Sequence, residues 1–275
     1  MSPEVITSPA NPLIKTLRKL ANDSTAYRKA GQIWLEGDHL CSAAMARGIM
    51  PDQIIVAQSY FIEFKHNVSV KWSYDARKIV VIADALMASL SSLESPARMG
   101  FVLPQPAVGA MDAAQPTNSI AKQQKGIKSG LNTVVLDRLQ DAGNVGSIIR
   151  SAAAFGFAQI VALKGTAALW SPKVLRAGMG AHFALHLVEG ADAADLSHLN
   201  VPLLATSSHQ GSYLHATVLP SPAAWIMGHE GQGVSPELAA MASLHLRITQ
   251  PGGEESLNVA AAAAICLHAS AAFGA

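Results

Sequence analysis

Asn144 and Arg150 stand almost two helical turns apart in the stretch Asp141-Ala142-Gly143-Asn144-Val145-Gly146-Ser147-Ile148-Ile149-Arg150. Between them they offer an amide and a permanently charged donor fork of the kind that grips phosphate. Read for structure alone, the stretch is a helix start, with Asn144 as cap, Gly146 allowing close packing, and Ile148 and Ile149 facing inward. A second stretch, Gly228-His229-Glu230-Gly231-Gln232-Gly233, holds three glycines in six positions and leads into Ser235-Pro236. Such a backbone bends sharply and approaches something closely. Glu230 inside it sits at a helix entrance, where a carboxylate either caps the helix or aligns a polar ligand. The third stretch runs from Ile248 to Asn258, with a tight turn at Pro251, Gly252 and Gly253 and with Ser256 or Asn258 placed to cap the alanine-rich helix beyond. Neither the three-glycine dinucleotide pattern nor a phosphate loop ending in Gly-Lys-Ser/Thr occurs, which disfavours a nicotinamide enzyme.

The elements around these stretches explain how they would be held. From Thr133 onward, apolar runs at Thr133–Leu136, Ile160–Leu163, Leu185–Val188, Pro202–Thr206, Ala224–Met227 and Leu244–Ile248 alternate with helical stretches. Continuous apolar strands separated by helices predict a mostly parallel sheet covered on both faces. On such a sheet, ligands sit beyond the carboxyl ends of the strands, which is where the three stretches fall. Upstream, runs at Ile33–Leu35, Gln53–Val56, Ile79–Ile82 and Phe101–Leu103, with helices near Leu40–Arg47 and Ala85–Leu90, predict a small separate α/β layer. Between Pro104 and Gly130 periodicity is lost and Pro, Gly, Gln, Ala and Ser dominate, with Lys122, Lys125 and Lys128 near the end; this reads as a linker.

The 275 residues, half of them apolar and 14% charged, exclude disorder and leave room for two domains. Formal charge is +2 over 1–103, +2 over 104–130 and −3 over 131–275, so basic excess lies upstream. One helix there, Asn11 to Ala21, gathers Leu13, Ile14, Leu17 and Leu20 on one face and Lys15, Arg18 and Lys19 largely off it, and Arg28 and Lys29 follow. These cations are either a phosphate-facing patch or an ordinary solvated face. Cys41 and Cys266 are far apart, with no partners at metal-ligand spacing, and read as buried thiols in a reducing compartment. The first residues carry Glu4 and three prolines rather than a basic and then apolar leader, and the tail from Leu257 to Ala275 is too weakly apolar for a bilayer; it reads as a helix packed in a core. The protein is expected in the cytoplasm, with no membrane partner.

Taken together, Asn144-x-Gly146-x-x-x-Arg150, Gly228-x-Glu230-x-x-Gly233 and Ser256-Leu257-Asn258-Val259, in that order and with Ser171–Gly180 between them, resemble the SpoU (TrmH-type) branch of the SPOUT RNA methyltransferases. The residues from Ile6 to Pro12, and Leu35-Glu36-Gly37, are similar to the substrate-binding domain that often precedes it. The resemblance implies an α/β protein: a C-terminal SPOUT trefoil-knot domain with a mostly parallel sheet at 131–275, preceded by a small L30e-like α/β domain at 1–103 and the linker at 104–130. It implies methyl transfer from S-adenosyl-L-methionine, without a metal, to a ribose 2′-hydroxyl of structured RNA, ribosomal RNA in preference to transfer RNA, by a homodimer. Carried over, Arg150 lies at the acceptor ribose, Asn144, Glu230, Ser256 and Asn258 orient it and the cofactor loops, and Thr206, Gly228, Ile248 and Leu257 floor the cofactor site. Because a guanidinium stays protonated, Arg150 is expected to position phosphate and stabilise a developing alkoxide rather than to accept a proton. Arg18, Lys19, Arg28 and Lys29 are the expected RNA contacts. Ala142, His229 and Thr249-Gln250 depart from the family's usual residues. The competing reading, a catalytically silent RNA-binding or ribosome-assembly factor, fits a complete set of motif side chains poorly.

Overall fold

The computed structural model describes residues 4–66, 79–91, 95–105, 126–207, 210–252 and 256–273. Most of the linker, including Lys122 and Lys125, and Gly253 of the third stretch, lie outside them. The chain divides into two compact units, Met1–Pro106 with Trp170–Arg176, and Ala107–Leu169 with Ala177–Ala275.

The first unit contains β1 (Val5–Ile6), α1 (Pro12–Asn22), α2 (Ala26–Ala30), β2 (Gln32–Glu36), α3 (Asp38–Met45), β3 (Gln53–Ala57), α4 (Gln58–His66), β4 (Ile79–Ile82), α5 (Asp84–Leu90) and β5 (Met99–Pro104). Its sheet runs β1-β4-β3-β5-β2, parallel through β3 and antiparallel at β5. Helix α1 starts where the Asn11 side chain accepts the Leu13 N–H and Pro12 takes the first turn. Ile14, Leu17 and Leu20 are buried, as their spacing predicts.

The second unit contains β6 (Thr133–Leu136), α6 (Ala142–Ala154), β7 (Gln159–Leu163), β8 (His186–Ala191), β9 (Leu203–Thr206), β10 (Ser212–Tyr213), β11 (Ala224–Met227), α8 (Pro236–Met241), β12 (Leu244–Arg247) and α9 (Val259–Phe273); helix α7 (Pro172–Gly178) straddles the division, and short 3-10 helices cover Ala181–Ala184, Ala193–Leu199 and Leu214–Ala216. Seven strands form one sheet, β10-β12-β9-β11-β6-β7-β8, with every neighbour parallel. The two-residue strands β1 and β10 are too short to leave an apolar run and were not expected from sequence.

Both faces of the sheet are covered, which is why its strands read as unbroken apolar runs. In β11 the alternation of side chains sends Ala224 and Ile226 into a core with Val135, Val161, Val188, Leu196 and Leu199. Trp225 is fully buried, and its Nε1–H donates to Ser270 Oγ of α9 at 2.8 Å. Helices α6 and α9 lie side by side and parallel: Asn144 meets Asn258 at their starts, and the Phe155 and His268 rings meet edge-on further along, with centroids 5.5 Å apart. The expectation that the alanine-rich tail is a core helix holds for one face only. Ala263, Cys266 and Leu267 are buried, but Ala261, Ile265 and His268 are exposed. Cys41 and Cys266 are free and buried, and burial pushes the Cys266 thiol up to about 12.

Candidate active site

Because the sheet is wholly parallel and its order places β12, β9, β11 and β6 side by side, the loops after these four strands leave from one end of it. Those after β9, β11 and β12 wall a cleft of about 660 Å³, within the range of small-molecule sites. Thr206, Gly228, Ile248 and Leu257, expected at the cofactor floor, all line it, as do Glu230, Ser256 and Asn258. Ala205, Leu246, Val234 and Ala262 supply apolar wall. Gly228 is where the β11 loop folds back upon itself: a Cβ there would lie 2.2 Å from the carbonyl carbon of Gly233 and from the Val234 nitrogen. The return is closed by the Gly233 N–H donating to the His229 carbonyl (2.8 Å), while His229 Nδ1 accepts the Gly231 N–H (3.0 Å).

Asn144 lies outside the cleft wall and ties its loops together. Its Nδ2 donates to Glu230 Oε1 (3.2 Å), and its Oδ1 accepts from Asn258 Nδ2 (3.0 Å). The sequence reading of Asn144 as the helix cap is corrected. Asp141 is the cap, its Oδ1 accepting the Asn144 N–H at 2.7 Å. Both are favourable cap residues three positions apart, and the upstream one takes the role, leaving the Asn144 side chain for tertiary contacts. Glu230 does not cap α8. Its carboxylate accepts the backbone N–H groups of Gln140 (3.2 Å) and Asp141 (3.1 Å), gripping the loop into α6 instead. Of the two candidates for α9, Asn258 is the cap, its Oδ1 accepting from the N–H groups of Ala260 and Ala261.

Burial pushes the Glu230 carboxyl up, but its own backbone N–H, the Asn144 amide and the N–H groups of Asp141 and Gln140 outweigh that and hold its pKa below the ordinary value of 4.5. The site therefore carries a fixed negative charge at neutral pH. A carboxylate with a lowered folded-state pKa gives stability that is present above its unfolded value and lost as pH falls through the folded one. Glu230→Gln keeps the shape, removes the charge and turns an N–H donor towards two backbone donors. It should cost about 1–2 kcal/mol in urea unfolding at neutral pH, the lower part of the range for charged hydrogen bonds because the group is only partly buried. The difference from the unsubstituted protein should shrink as pH falls below the ordinary carboxylate range; one independent of pH would contradict the network.

Asp137, Arg138, Gln140 and Gln232 join the site without having been singled out from sequence. Asp137, 2% exposed at the end of β6, accepts the Ser235 N–H at 2.7 Å and pairs with Arg138 Nε at 2.8 Å. Arg138 then donates to Gln232 Oε1 at 3.1 Å, bracing the glycine-rich loop from below. An acid directly after a buried apolar run was the available signal, since a charge there needs a partner.

Arg150 is not brought to the cleft. It is exposed on α6, has no hydrogen-bond or ion-pair partner among the described residues and is not among the cleft's wall residues. The upstream cations lie on the first unit. Arg18 reaches Ser89 Oγ at 3.4 Å, Arg28 sits 5.5 Å from the Tyr27 ring centroid, and Lys19 and Lys29 are exposed in the last turns of α1 and α2.

The model of the SpoU rRNA Methylase family matches residues 132–268, and that of the MRM3-like substrate binding domain matches residues 11–99. An uncharacterized tRNA/rRNA methyltransferase of Synechocystis sp. is 34% identical over 281 residues, covering 96% of this chain and 92% of the relative. The chain belongs to the SpoU rRNA methylase family. As such it is an RNA methyltransferase. The 23S rRNA (guanosine(2553)-2′-O)-methyltransferase of Bacillus subtilis is 26% identical, with 96% of this chain and 97% of that one aligned. The AdoMet-bound rRNA methyltransferase of Sinorhizobium meliloti shares the fold, with a TM-score of 0.74, 24% identity and 97% of each chain covered. Among the described residues of this SpoU methylase, no three His, Cys, Asp or Glu side chains gather to hold a metal ion, and no helix is long and apolar enough to cross a membrane.

Proposed function

We propose that this SpoU methylase transfers the methyl group of S-adenosylmethionine to a ribose 2′-hydroxyl of ribosomal RNA. The observation that carries the reading is the Glu230–Asn144–Asn258 chain of hydrogen bonds, which ties three loops remote in sequence around one cleft. The cleft fits the donor: backbone groups at Gly228 and Ile248 and the apolar side chains of Ile248 and Leu257 suit an adenosine, and the fixed charge of Glu230 suits a sulfonium. When bound, the donor supplies an activated methyl. Arg150 holds the acceptor's phosphate and stabilises the oxygen as it gains negative charge, and the hydroxyl proton leaves to water. The 2′-hydroxyl also separates RNA from DNA at the reacting atom.

The enzyme works as a homodimer in the cytoplasm, with the knotted C-terminal chain of its family. The exposed row of Ala261, Ile265, His268 and Ala272 on α9, which holds no Asp, Glu, Lys or Arg, supports the pairing. Arg18, Lys19, Arg28 and Lys29 meet the RNA backbone. Reversing Arg28 and Lys29 to glutamate should weaken RNA binding and reduce the slope of log affinity against log salt by about 2, one for each phosphate that is no longer neutralised, with cofactor affinity unchanged. An unaltered slope places the RNA surface elsewhere.

Incubation with methyl-labelled S-adenosylmethionine and ribosomal RNA from cells lacking this protein tests the whole. Label should enter RNA, and the adjoining phosphodiester should resist alkali. RNA bound without transfer overturns the reading in favour of a silent assembly factor.

A further inference from the structure

On the edge of the second unit's sheet, β10 pairs with β12 in a register that sets Tyr213 against Arg247. The Arg247 guanidinium carbon lies 3.9 Å from the Tyr213 ring centroid. Two residues on, the His215 ring is 5.5 Å from that of Tyr213 and tilted by only 33°, and its Nδ1 is held by Thr249 Oγ1 at 3.1 Å. Tyr213 is 42% exposed, and His215 and Thr249 are exposed or half-buried with it. Arg247 has no acidic partner among the described residues, and its Nε is buried without an acceptor. Among the described residues, stacking rather than an ion pair therefore holds this cation.

Three flat groups along an exposed edge, two aromatic and one cationic, match what stacks an unpaired base. A structural role explains them less well: an exposed tyrosine at an edge contributes little to a core, and a buried Nε–H without an acceptor costs stability. The position adds direction. Ile248 and Gln250 line the cleft, and Arg247 and Thr249, on the same segment, are not among its wall residues. The edge and the cleft thus share one segment of chain, residues 247–250.

We propose that Tyr213, His215 and Arg247 form a docking step for an unpaired nucleobase that flanks the reacting nucleotide. This rests on the cleft being the site of methyl transfer to RNA, and it assigns to the catalytic unit an RNA contact separate from the upstream cations. Stacking supplies affinity with little preference among bases, and Arg247 adds attraction to the base face and to nearby phosphate.

The test uses the full-length protein, in vitro transcribed unmodified ribosomal RNA and labelled S-adenosylmethionine. Tyr213→Leu keeps bulk and removes the π face. It should raise KM for RNA about tenfold, the loss expected for one stacked base, and leave the Kd for S-adenosylmethionine as it was. Tyr213→Trp should restore KM, and Arg247→Gln should both raise KM and lessen its salt dependence. If Tyr213→Leu matches the unsubstituted enzyme in KM, or weakens cofactor and RNA alike, the docking step is wrong while methyl transfer to RNA stands. If only Arg247→Gln has an effect, the contact is with phosphate and stacking is overturned. Absence of transfer by the unsubstituted enzyme refutes the activity itself, and retained RNA affinity on Tyr213→Leu in a filter-binding measurement then refutes the step independently.

Discussion

Arg150→Ala should abolish turnover, with a fall of about 10²–10³-fold or more, while the affinity for S-adenosylmethionine stays within experimental error of the unsubstituted protein. The size follows from the role: a preorganised charge aimed at a forming oxyanion is worth more than an ordinary contact, because it acts only as the charge develops. The preserved affinity follows from position, since Arg150 is exposed on α6 and takes no part in the cleft wall. Calorimetry with the cofactor alone and a single-turnover assay with RNA separate the two. Loss of cofactor binding in a folded Arg150→Ala protein would contradict an acceptor-side role. The same exposure raises the question of whose cleft Arg150 serves. It lies on α6, which packs against α9, the helix whose exposed row through Ile265 is the proposed pairing surface. An equal mixture of Arg150→Ala with a variant disabled in the cleft should then recover about a quarter of full activity after subunit exchange, as random pairing in a two-fold dimer gives one intact site in four. No recovery confines Arg150 to its own subunit.

That second variant is Gly228→Ala, for which the expected result is loss of cofactor binding by at least about a hundredfold, with destabilisation of about 3 kcal/mol, the upper part of the range for overpacking. The added methyl would sit 2.2 Å from two backbone atoms, and backbone cannot swing aside as a side chain tip can. Relief requires prising the Gly228–Gly233 turn open, and that turn carries Glu230. Gly231→Ala is the internal control: its nearest neighbours would be His229 ring atoms at 3.9 Å, an ordinary contact, so binding should persist. Equal effects from the two substitutions would mean that the loop tolerates neither for a general reason, and the argument from the fold-back at Gly228 would fail.

The parallel sheet was legible because its inner strands β6 and β11 are buried on both faces and leave the unbroken runs Thr133–Leu136 and Ala224–Met227 in the sequence. The cleft residues were legible only through resemblance; spacing alone gave a helix start, a bend and a capped helix. What stayed hidden is what depends on partners far along the chain. Asp141 and Asn144 are equally good caps until it is known that Glu230 and Asn258 claim the Asn144 side chain. Asp137, directly after the Thr133–Leu136 run, signals that a partner is needed, but not that the partner is the N–H of Ser235, 98 residues away. The exposed face of α9 escaped notice because alanine is compatible with both a core and a surface.

The ties between Asn144, Glu230 and Asn258 also set a schedule. The first of these residues leaves the ribosome more than a hundred positions before the last, and at ordinary synthesis rates the interval is on the order of ten seconds. Until its end the Asn144 side chain lacks its Asn258 partner, α6 lacks α9, and the cleft lacks the wall that Ser256, Leu257 and Asn258 supply. The nascent chain therefore has no closed cleft, and is expected to transfer no methyl group, until α9 has emerged.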